Sequence, residues 1–465
     1  MFDLASLRLR NNLIFLICAG VLIILTGIIF PTSLVLAFLF ANLLVPKLPL
    51  IEIRGYLVPI RLEDVLLACA LLALLLRYLF YREDRTRNPL ERWMVIFSVL
   101  TGISFLFGLY ILGSVPGATV GFLYWLRGPE YFAASYLCLS SVTSWKQYKR
   151  MMTALVAFTL LIGIYGILQE YSIVPTFNAM HQTDEFVTIQ FSPGFGMDRL
   201  SSTFAGPYDL AAFYLLAIPI LICLCVLAVS MTQKLMLAGI LALSLVCFYL
   251  TYARTPLAAL VMVVGVCLWF LGKARWGFFL VPAFVLPALL LEGFAVRLSS
   301  AADDPMAYYQ LGGRITGGWA DAISAAIRSP LIGTGPASLA DGMGVDGLYF
   351  LLVGMWGIAG LVCFMTLIWK AIHFQRGYIR ASQNKMQRAL AIGLFAGTLG
   401  LLVNGLTIDT FFSSKVAFSY WLLMGLLLAG RRLEIETVKR RLPTLEKNDI
   451  SPSSIGAMKP AVGSA

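Results

Sequence analysis

The sequence predicts an all-α polytopic membrane protein with about 12 transmembrane helices, or 13 in the alternative. Hydrophobic residues make up 59% of the 465 residues and charged residues only 13%, which is typical of a chain that lies mostly in lipid. Apolar runs of about 17–25 residues recur along the chain, and each is long enough to cross a bilayer as a helix. Because these runs lack a period-2 alternation, they favour helices over an outer-membrane barrel.

Lysine and arginine are concentrated in a few polar segments, which marks those segments as cytoplasmic. The net charge of +11 is explained by this bias, so no nucleic-acid partner is expected. The basic segments lie near residues 77–92, 146–150, 273–275, 370–388 and 431–441. Between them, the predicted spans are 62–80, 93–112, 119–140, 151–172, 207–229, 235–252, 256–272, 277–293, 346–370, 389–408 and 414–430.

The N-terminal region leaves two topologies open. Residues 13–45 hold two apolar stretches split by Pro31. One broken crossing gives 12 spans with both termini in the cytoplasm, whereas two full crossings give 13. We divide the chain into a transmembrane domain, 1–435, and a cytoplasmic, largely disordered tail, 436–465, whose end is rich in Ser, Pro, Gly and Ala.

The spans leave two long external segments, residues 173–206 and 294–345, and the second is a large loop ahead of a late helix. Within this loop, Ile315–Arg328 has a helical composition, and Pro330 is expected to end the helix. Gly333, Gly335 and Pro336 then predict a turn. Further along, Gly357 and Gly360 are interpreted as positions of close helix packing.

Four arginines are predicted to lie on the external side, where the positive-inside rule depletes them: Arg127, Arg199, Arg254 and Arg314. A single arginine there can extend to a lipid headgroup without any further role. Four together suit a pyrophosphate, because each guanidinium stays charged and binds phosphate oxygens bidentately.

Two acidic residues stand where external segments enter spans. Asp346 follows a glycine-rich loop, and Asp209 follows Pro207. Each could cap the following helix, and each, beside arginines, could also accept a proton from a sugar hydroxyl. The eight cysteines lie inside apolar runs and the two histidines are far apart, so neither a disulfide framework nor a metal site is expected.

Several short patterns occur in a fixed order. Tyr165-Gly-Ile-Leu-Gln169 precedes the segment from Arg199 to Asp209 and then Tyr252-Ala-Arg254-Thr-Pro256. The large loop adds Arg314, Trp319 and Ser329-Pro-Leu-Ile-Gly-Thr-Gly-Pro336, and Gly357-Ile-Ala-Gly360 follows Gly347 after nine residues. In this order, over about residues 150–430, the chain resembles the O-antigen ligase and polymerase superfamily, whose enzymes handle undecaprenyl-pyrophosphate-linked glycans.

The resemblance implies a GT-C-like fold and a glycosyltransferase in the bacterial cytoplasmic membrane, acting at its outer face without metal or cofactor. Its substrates are a lipid-linked glycan donor and acceptor, and a flippase and a chain-length regulator are candidate partners. Taken with the charge pattern, we predict Arg254, Arg314 and Asp346 as catalytic residues. We predict Arg127, Arg199, Asp209 and Trp319 as substrate-binding residues.

One departure favours a polymerase of exopolysaccharide, capsule or O-antigen over a ligase. Where the ligases of the superfamily have His-Asn, this chain has Asp346-Gly347. A ligase acting on another acceptor and a lipid-linked oligosaccharide flippase stay open as alternatives. A non-catalytic subunit of an export complex and a cell-wall polymerase of similar architecture are further rivals.

Overall fold

A computed structural model describes residues 20–45, 49–51, 60–81, 88–174, 199–277, 286, 311–339 and 345–448. Helices form most of this part of the chain, and the all-α prediction is confirmed at that level. A π-helical turn, Gly108–Leu112, extends helix α4. The helices are α1 (Gly20–Ile29), α2 (Pro31–Leu44), α3 (Leu62–Tyr81), α4 (Glu91–Phe107), α5 (Ala118–Ser141), α6 (Trp145–Glu170), α7 (Pro207–Leu227), α8 (Met231–Tyr249), α9 (Arg254–Phe270), α10 (Leu311–Thr316), α11 (Gly318–Arg328), α12 (Leu348–Ala381), α13 (Lys385–Asn404) and α14 (Ser414–Asn448).

Within the described residues, seven helices are long and apolar enough to cross a membrane: α4 with its π turn, α6, α7, α8, α12, α13 and the first part of α14. The protein is therefore a multi-pass helical membrane protein by the length and composition of its helices. Helices α3, α5 and α9 coincide with three more predicted spans. The predicted span 277–293 lies almost wholly outside the described residues, so the total of about 12 stays a prediction.

Helix α13 lies at the centre of the bundle, where its glycines allow close contact with two neighbours. A Cβ added at Gly393 would lie 2.6 Å from the Cα of Ile220 in α7, and one added at Gly400 would lie 2.6 Å from the side chain of Val263 in α9. On the other side of the core, Gly425 of α14 packs against the backbone of Ser135 in α5. Small residues at such positions let helix backbones approach closely.

The bundle has two chemically different ends. At the end that we call the basic end, α5 ends and α6 and α13 begin, and Arg432 donates a hydrogen bond of 2.6 Å to the carbonyl of Val142. The opposite end, which we call the site end, holds the starts of α3, α7, α9, α12 and α14. Every candidate residue of the sequence analysis lies toward the site end, as the alternation of predicted spans requires.

The N-terminal region is bent at the predicted proline. Helix α1 ends at Ile29 and α2 begins at Pro31. A Cβ on Gly27 would lie 2.4 Å from the side chain of Leu34, a contact that a straight helix does not allow between residues two turns apart. Residues before Gly20 lie outside the described part, so the number of N-terminal crossings stays a prediction. Beyond α2, the chain forms a short antiparallel pair, β1 (Pro49–Ile51) with β2 (Ile60–Arg61), which the sequence analysis did not predict.

Helix α12 is broken at Gly357, where the backbone has φ 66° and ψ −173°. The amides of Thr334 and Gly335 donate to the carbonyls of Gly354 and Met355 at 3.1 and 2.9 Å. In return, the amides of Ile358 and Ala359 donate to the carbonyls of Pro330 and Leu331 at 2.9 and 3.1 Å. The loop thereby satisfies the backbone groups that the break leaves without helical partners.

This arrangement corrects one interpretation and confirms two others. Gly357 is the site of a helix break rather than merely a packing position. The predicted turn is present, with φ of 80° at Gly333 and 94° at Gly335. The predicted loop helix is also present, although Gly317 divides it into α10 and α11.

The C-terminal tail begins differently from the prediction. Helix α14 continues to Asn448, so residues 436–448 are helical rather than disordered. At the start of this extension, Glu434 lies near Arg431 and Glu436 lies near Arg432, each one helical turn away, and such pairs favour continuation of the helix. The prediction of disorder for 449–465 falls outside the described residues.

Candidate functional site

The centre of the candidate site is an ion pair between the external loop and the start of α12. The Nη2 atom of Arg314 lies 3.1 Å from Oδ2 of Asp346. The arginine side chain is only 12% exposed, whereas the aspartate side chain is 48% exposed. Within the described residues, the buried Nε of Arg314 has no hydrogen-bond partner. The charge of the mostly buried arginine is therefore held in place by a carboxylate that solvent can reach.

Asp346 is not the N-cap of α12, contrary to one of its two interpretations. The N-cap is Gly347, with φ 116°, and no side-chain capping hydrogen bond is present at this helix start. A side chain on Gly347 would be strained, and its Cβ would lie 3.2 Å from the carbonyl oxygen of Leu406. The Asp346 carboxylate is thus turned to Arg314 and not to the helix backbone.

Trp319 fixes the backbone of the same aspartate. Its Nε1 donates a hydrogen bond to the carbonyl of Asp346. Its ring stacks on Phe350 with the centroids 4.3 Å apart and the planes 16° from parallel. The predicted substrate-binding residue Trp319 therefore lies in the site, and its visible contacts position Asp346.

The pKa of Asp346 is raised above the ordinary value of an aspartate. Partial burial disfavours the charged form and raises the pKa, and this outweighs the charge of Arg314 and its hydrogen bond, which lower it. Asp346 lies before the start of α12, outside the membrane-spanning helix. A carboxylate with a raised pKa is a stronger base than an ordinary one once it is ionised.

Arg199 and Arg254 lie next to the same turn, in another part of the site end. Arg199 donates from Nε to the carbonyl of Thr251 at 2.9 Å, and its guanidinium lies 4.3 Å from the ring centroid of Tyr208. Arg254 begins helix α9, directly after this turn. The amide of Leu200 donates to Leu250 at 3.1 Å and holds the two segments together. The structure thus joins two of the predicted arginines.

The end of α13 connects these two parts of the site. The amide of Leu348 donates to the carbonyl of Gly405 at 2.7 Å, so the start of α12 and the end of α13 are in contact. Helix α13 also packs along α7 and α9, which begin beside Arg199 and Arg254. The Arg314–Asp346 pair and the turn between Arg199 and Arg254 therefore flank the same helix end.

Asp209 lies in the first turn of α7 and accepts a hydrogen bond of 2.6 Å from Oγ of Ser413. The first turn of a helix is electrostatically favourable for a carboxylate, so the helix-start interpretation fits this position. The Ser413 bond also ties α7 to the segment before α14. Asp209 is therefore fixed at the rim, and its substrate-binding role stays a prediction.

Arg127 has acidic partners that the sequence did not reveal. Its Nη1 lies 2.5 Å from Oδ1 of Asp64 and 3.2 Å from Oε2 of Glu130. Arg61 joins this group, because its amide donates to Asp64 at 2.9 Å and its side chain donates to Ser414 at 2.8 Å. Because two carboxylates balance the charge of Arg127, this arginine is less suited to a pyrophosphate than its sequence position suggests. The clue in the sequence is Arg127 with Glu130 inside a predicted span, where charges usually occur in pairs.

The sequence analysis also missed Lys415. It is fully buried at the start of α14, and its Nζ donates to the carbonyls of Val45 and Thr203 at 2.8 and 2.6 Å. The ammonium also lies 5.1 Å from the ring centroid of Phe204. A lysine at the external start of a span, against the positive-inside rule, was the available signal. It ties α2 and the segment after Arg199 to α14.

Comparison of the chain with protein-family models and with curated protein sequences gives no match. The class that the fold defines is a multi-pass helical membrane protein, and its activity is argued from the site itself.

Proposed function

We propose that the protein is a glycosyltransferase that uses a polyprenyl-pyrophosphate-linked oligosaccharide at the outer face of the bacterial cytoplasmic membrane. The observation that supports this most is the Arg314–Asp346 ion pair, which Trp319 holds at the end of the bundle away from the basic clusters. A carboxylate beside a guanidinium, at the boundary between a polar loop and apolar helices, suits a substrate that is part sugar and part lipid. Polymerisation of repeat units into an exopolysaccharide, capsule or O-antigen is the proposed outcome.

In the proposed reaction, the Asp346 carboxylate accepts the proton of an acceptor hydroxyl. The hydroxyl oxygen attacks the anomeric carbon of the donor, and the bond from that carbon to the phosphate oxygen breaks. The electron pair leaves with the polyprenyl pyrophosphate, whose negative charge Arg314 and Arg254 stabilise. Arg199 adds positive charge at the same turn as Arg254.

A ligase that transfers the glycan to a different acceptor would use the same groups. Asp346 stands where the ligases of the similar superfamily have a histidine, and this favours the polymerase over that alternative. The two differ in product rather than in chemistry, because a polymerase extends its own substrate whereas a ligase caps a second molecule.

A flippase is the rival from another class, and the break in α12 is the observation that favours it. Transporters often bind substrates at broken helices whose backbone groups are free. Here the loop from Pro330 to Gly335 forms hydrogen bonds with the backbone on both sides of Gly357, so the carbonyls of Gly354 and Met355 and the amides of Ile358 and Ala359 have partners. This arrangement supports a rigid structural element more than an ion or substrate site.

The deciding experiment uses the purified protein in lipid nanodiscs with the lipid-linked repeat unit of its own host. We expect products longer than one repeat unit together with release of polyprenyl pyrophosphate, both lost in Asp346→Asn. If the wild-type protein moves the lipid-linked unit across a vesicle bilayer and forms no new glycosidic bond, the flippase replaces the glycosyltransferase.

A further inference from the structure

A polar cavity lies beside the candidate site, on the face of helix α11 that is opposite Trp319. Its volume is about 210 Å³, and its polar lining consists of Ser114, Asp321, Ser324, Arg328, Thr334 and Ser338. At about 30 Å³ per water molecule, that is room for about seven waters, close to the size of one sugar ring. Three apolar residues complete the lining: Ala325, Leu339 and Val345.

Helix α11 connects the cavity to the Arg314–Asp346 pair. Successive residues of a helix are rotated by about 100°, so Asp321, Ser324 and Arg328 lie on the face opposite Trp319. Trp319 faces Asp346, whereas the other face of the helix lines the cavity. Val345 of the cavity is also the chain neighbour of Asp346. The cavity and the ion pair are thus separated by one helix, about 10–12 Å.

Part of the cavity wall is rigid and already hydrogen-bonded. Oγ of Ser114 donates to the carbonyl of Thr334 at 2.5 Å, and Oγ of Ser338 donates to the carbonyl of Gly335 at 2.7 Å. The hydroxyls of Thr334 and Ser338 are 2.7 Å apart. Because these donors are used within the wall, the serine and threonine oxygens offer fixed acceptors to a ligand.

The other part of the wall carries two charged side chains, Asp321 and Arg328. Asp321 and Arg328 lie on the solvent side of α11 and form no ion pair with each other or with another described residue. A carboxylate accepts two hydroxyl protons and a guanidinium donates in a planar fork, so both groups match vicinal hydroxyls. An acidic residue in the wall disfavours a phosphate, which leaves a neutral polyhydroxyl ligand as the better fit.

We infer that this cavity binds one sugar ring of the glycan substrate at a distance from the bond being formed. The inference rests on the proposed function, because it assigns a further subsite to the same substrate. A glycan whose reacting end lies at Asp346 reaches the cavity with a sugar further along its chain. The subsite selects the repeat unit and adds affinity, and Asp321, Ser324 and Arg328 determine its specificity.

The first test measures kinetics with the host's lipid-linked repeat unit in nanodiscs. Asp321→Asn and Arg328→Gln are each expected to raise KM by about tenfold with kcat unchanged, the size of one lost charge-assisted hydrogen bond. Ser324→Trp, which fills the cavity, should raise KM more and shorten the products. Ile327→Trp is the matched control, since Ile327 is an exposed residue of the same helix that neither lines the cavity nor lies on the face of Trp319. Unchanged KM in all three cavity variants would overturn the inference.

A second test does not depend on catalysis, so it separates this inference from the proposed function. The delipidated repeat-unit oligosaccharide of the host is titrated into purified protein by calorimetry. Wild type and Ile327→Trp are expected to bind it equally, and Ser324→Trp at least tenfold more weakly. Equal binding by all three proteins, or no binding by wild type, rejects the subsite, whereas binding without polymer formation rejects only the proposed reaction. Matching elution and thermal unfolding of the variants establish that they fold.

Discussion

The carboxylate of Asp346 lies 3.1 Å from the guanidinium of Arg314, although helix α11 and the turn after it separate the two residues in the chain. The indole of Trp319 binds the backbone carbonyl of the same aspartate and leaves its carboxylate for the arginine. Backbone position and side-chain charge are therefore controlled by two different residues of one loop. This separation allows each contribution to be removed without the other.

Replacement of Asp346 by Asn tests the role of its carboxylate. The proposed base needs a negative charge, so we expect glycosyl transfer to fall by roughly 10²–10⁴-fold. Folding should be retained, because the Trp319 bond uses the backbone carbonyl, which the substitution keeps. Polymer formation in nanodiscs and thermal unfolding in detergent measure the two effects. Trp319→Phe is the companion variant, because it keeps an aromatic ring beside Phe350 and removes the hydrogen bond to the carbonyl of Asp346.

Arg314→Lys tests whether a planar guanidinium is required. Lysine keeps the charge but cannot form the bidentate contact, so we expect activity to fall by about 10- to 150-fold, which corresponds to roughly 1.5–3 kcal/mol. Arg380→Lys, at the basic end, is the control and should be fully active. Full activity in Arg314→Lys would show that simple charge attraction is sufficient at this position.

The raised pKa of Asp346 gives the pH dependence a definite sign. The base works when ionised, so activity should increase as the pH rises through that pKa and level off above it. Arg314→Gln removes the groups that lower the pKa, so the rising limb should move to higher pH. A pH profile of kcat for the two proteins tests this, and identical limbs would exclude Asp346 as the titrating base.

The same pKa also predicts how stability depends on pH. The folded protein binds the Asp346 proton more tightly than the unfolded chain, so this residue makes folding less favourable as pH rises from the ordinary aspartate pKa through the raised one. Asp346→Asn should remove that part of the decline. Thermal unfolding as a function of pH compares the two, and a parallel decline in both proteins would assign it to other groups.

Helix positions were predictable because apolar length and helix-starting residues are local features. The span 207–229 corresponds to α7, Pro207–Leu227, since a proline fits the first turn and the run of apolar residues sets the length. The end of α14 was missed because a charged segment beyond a span can be either a helix or a loop. The only local sign that the helix continues is a pair of opposite charges one turn apart, Arg431 and Glu434.

The contacts within the site were predictable only in part. Arg314, Trp319 and Asp346 were selected together, and the structure brings them together. The pairing of Arg127 with Asp64 was not anticipated, because the two residues lie on different helices and no local pattern links them. The break in α12 was missed for a similar reason, since its stability depends on hydrogen bonds from a separate loop to residues on both sides of Gly357.

The assignment of the site end to the external side can be tested by thiol labelling. Ile327 is 75% exposed on α11, and Thr143 is exposed at the basic end. We expect a membrane-impermeant maleimide to label Ile327→Cys in intact cells and Thr143→Cys only after permeabilisation. The protein without an added cysteine is the control, because it reports any labelling of the native cysteines. The reverse pattern would place the proposed site in the cytoplasm and exclude the proposed donor chemistry there.

Gly357→Ala tests whether the break in α12 is required by the fold. The backbone has a positive φ of 66°, and a Cβ would lie 2.4 Å from the carbonyl oxygen of Leu331. Backbone strain of this kind costs about 1–3 kcal/mol, and the clash would add to it by forcing the loop away from the helix. We expect a lower unfolding temperature and lost activity, because the displaced loop connects to the segment that carries Asp346. Gly377→Ala in the same helix is the control, since a Cβ there meets nothing within 4 Å and alanine favours a helix. If Gly357→Ala were as stable and active as Gly377→Ala, the loop and the break would be independent of the site.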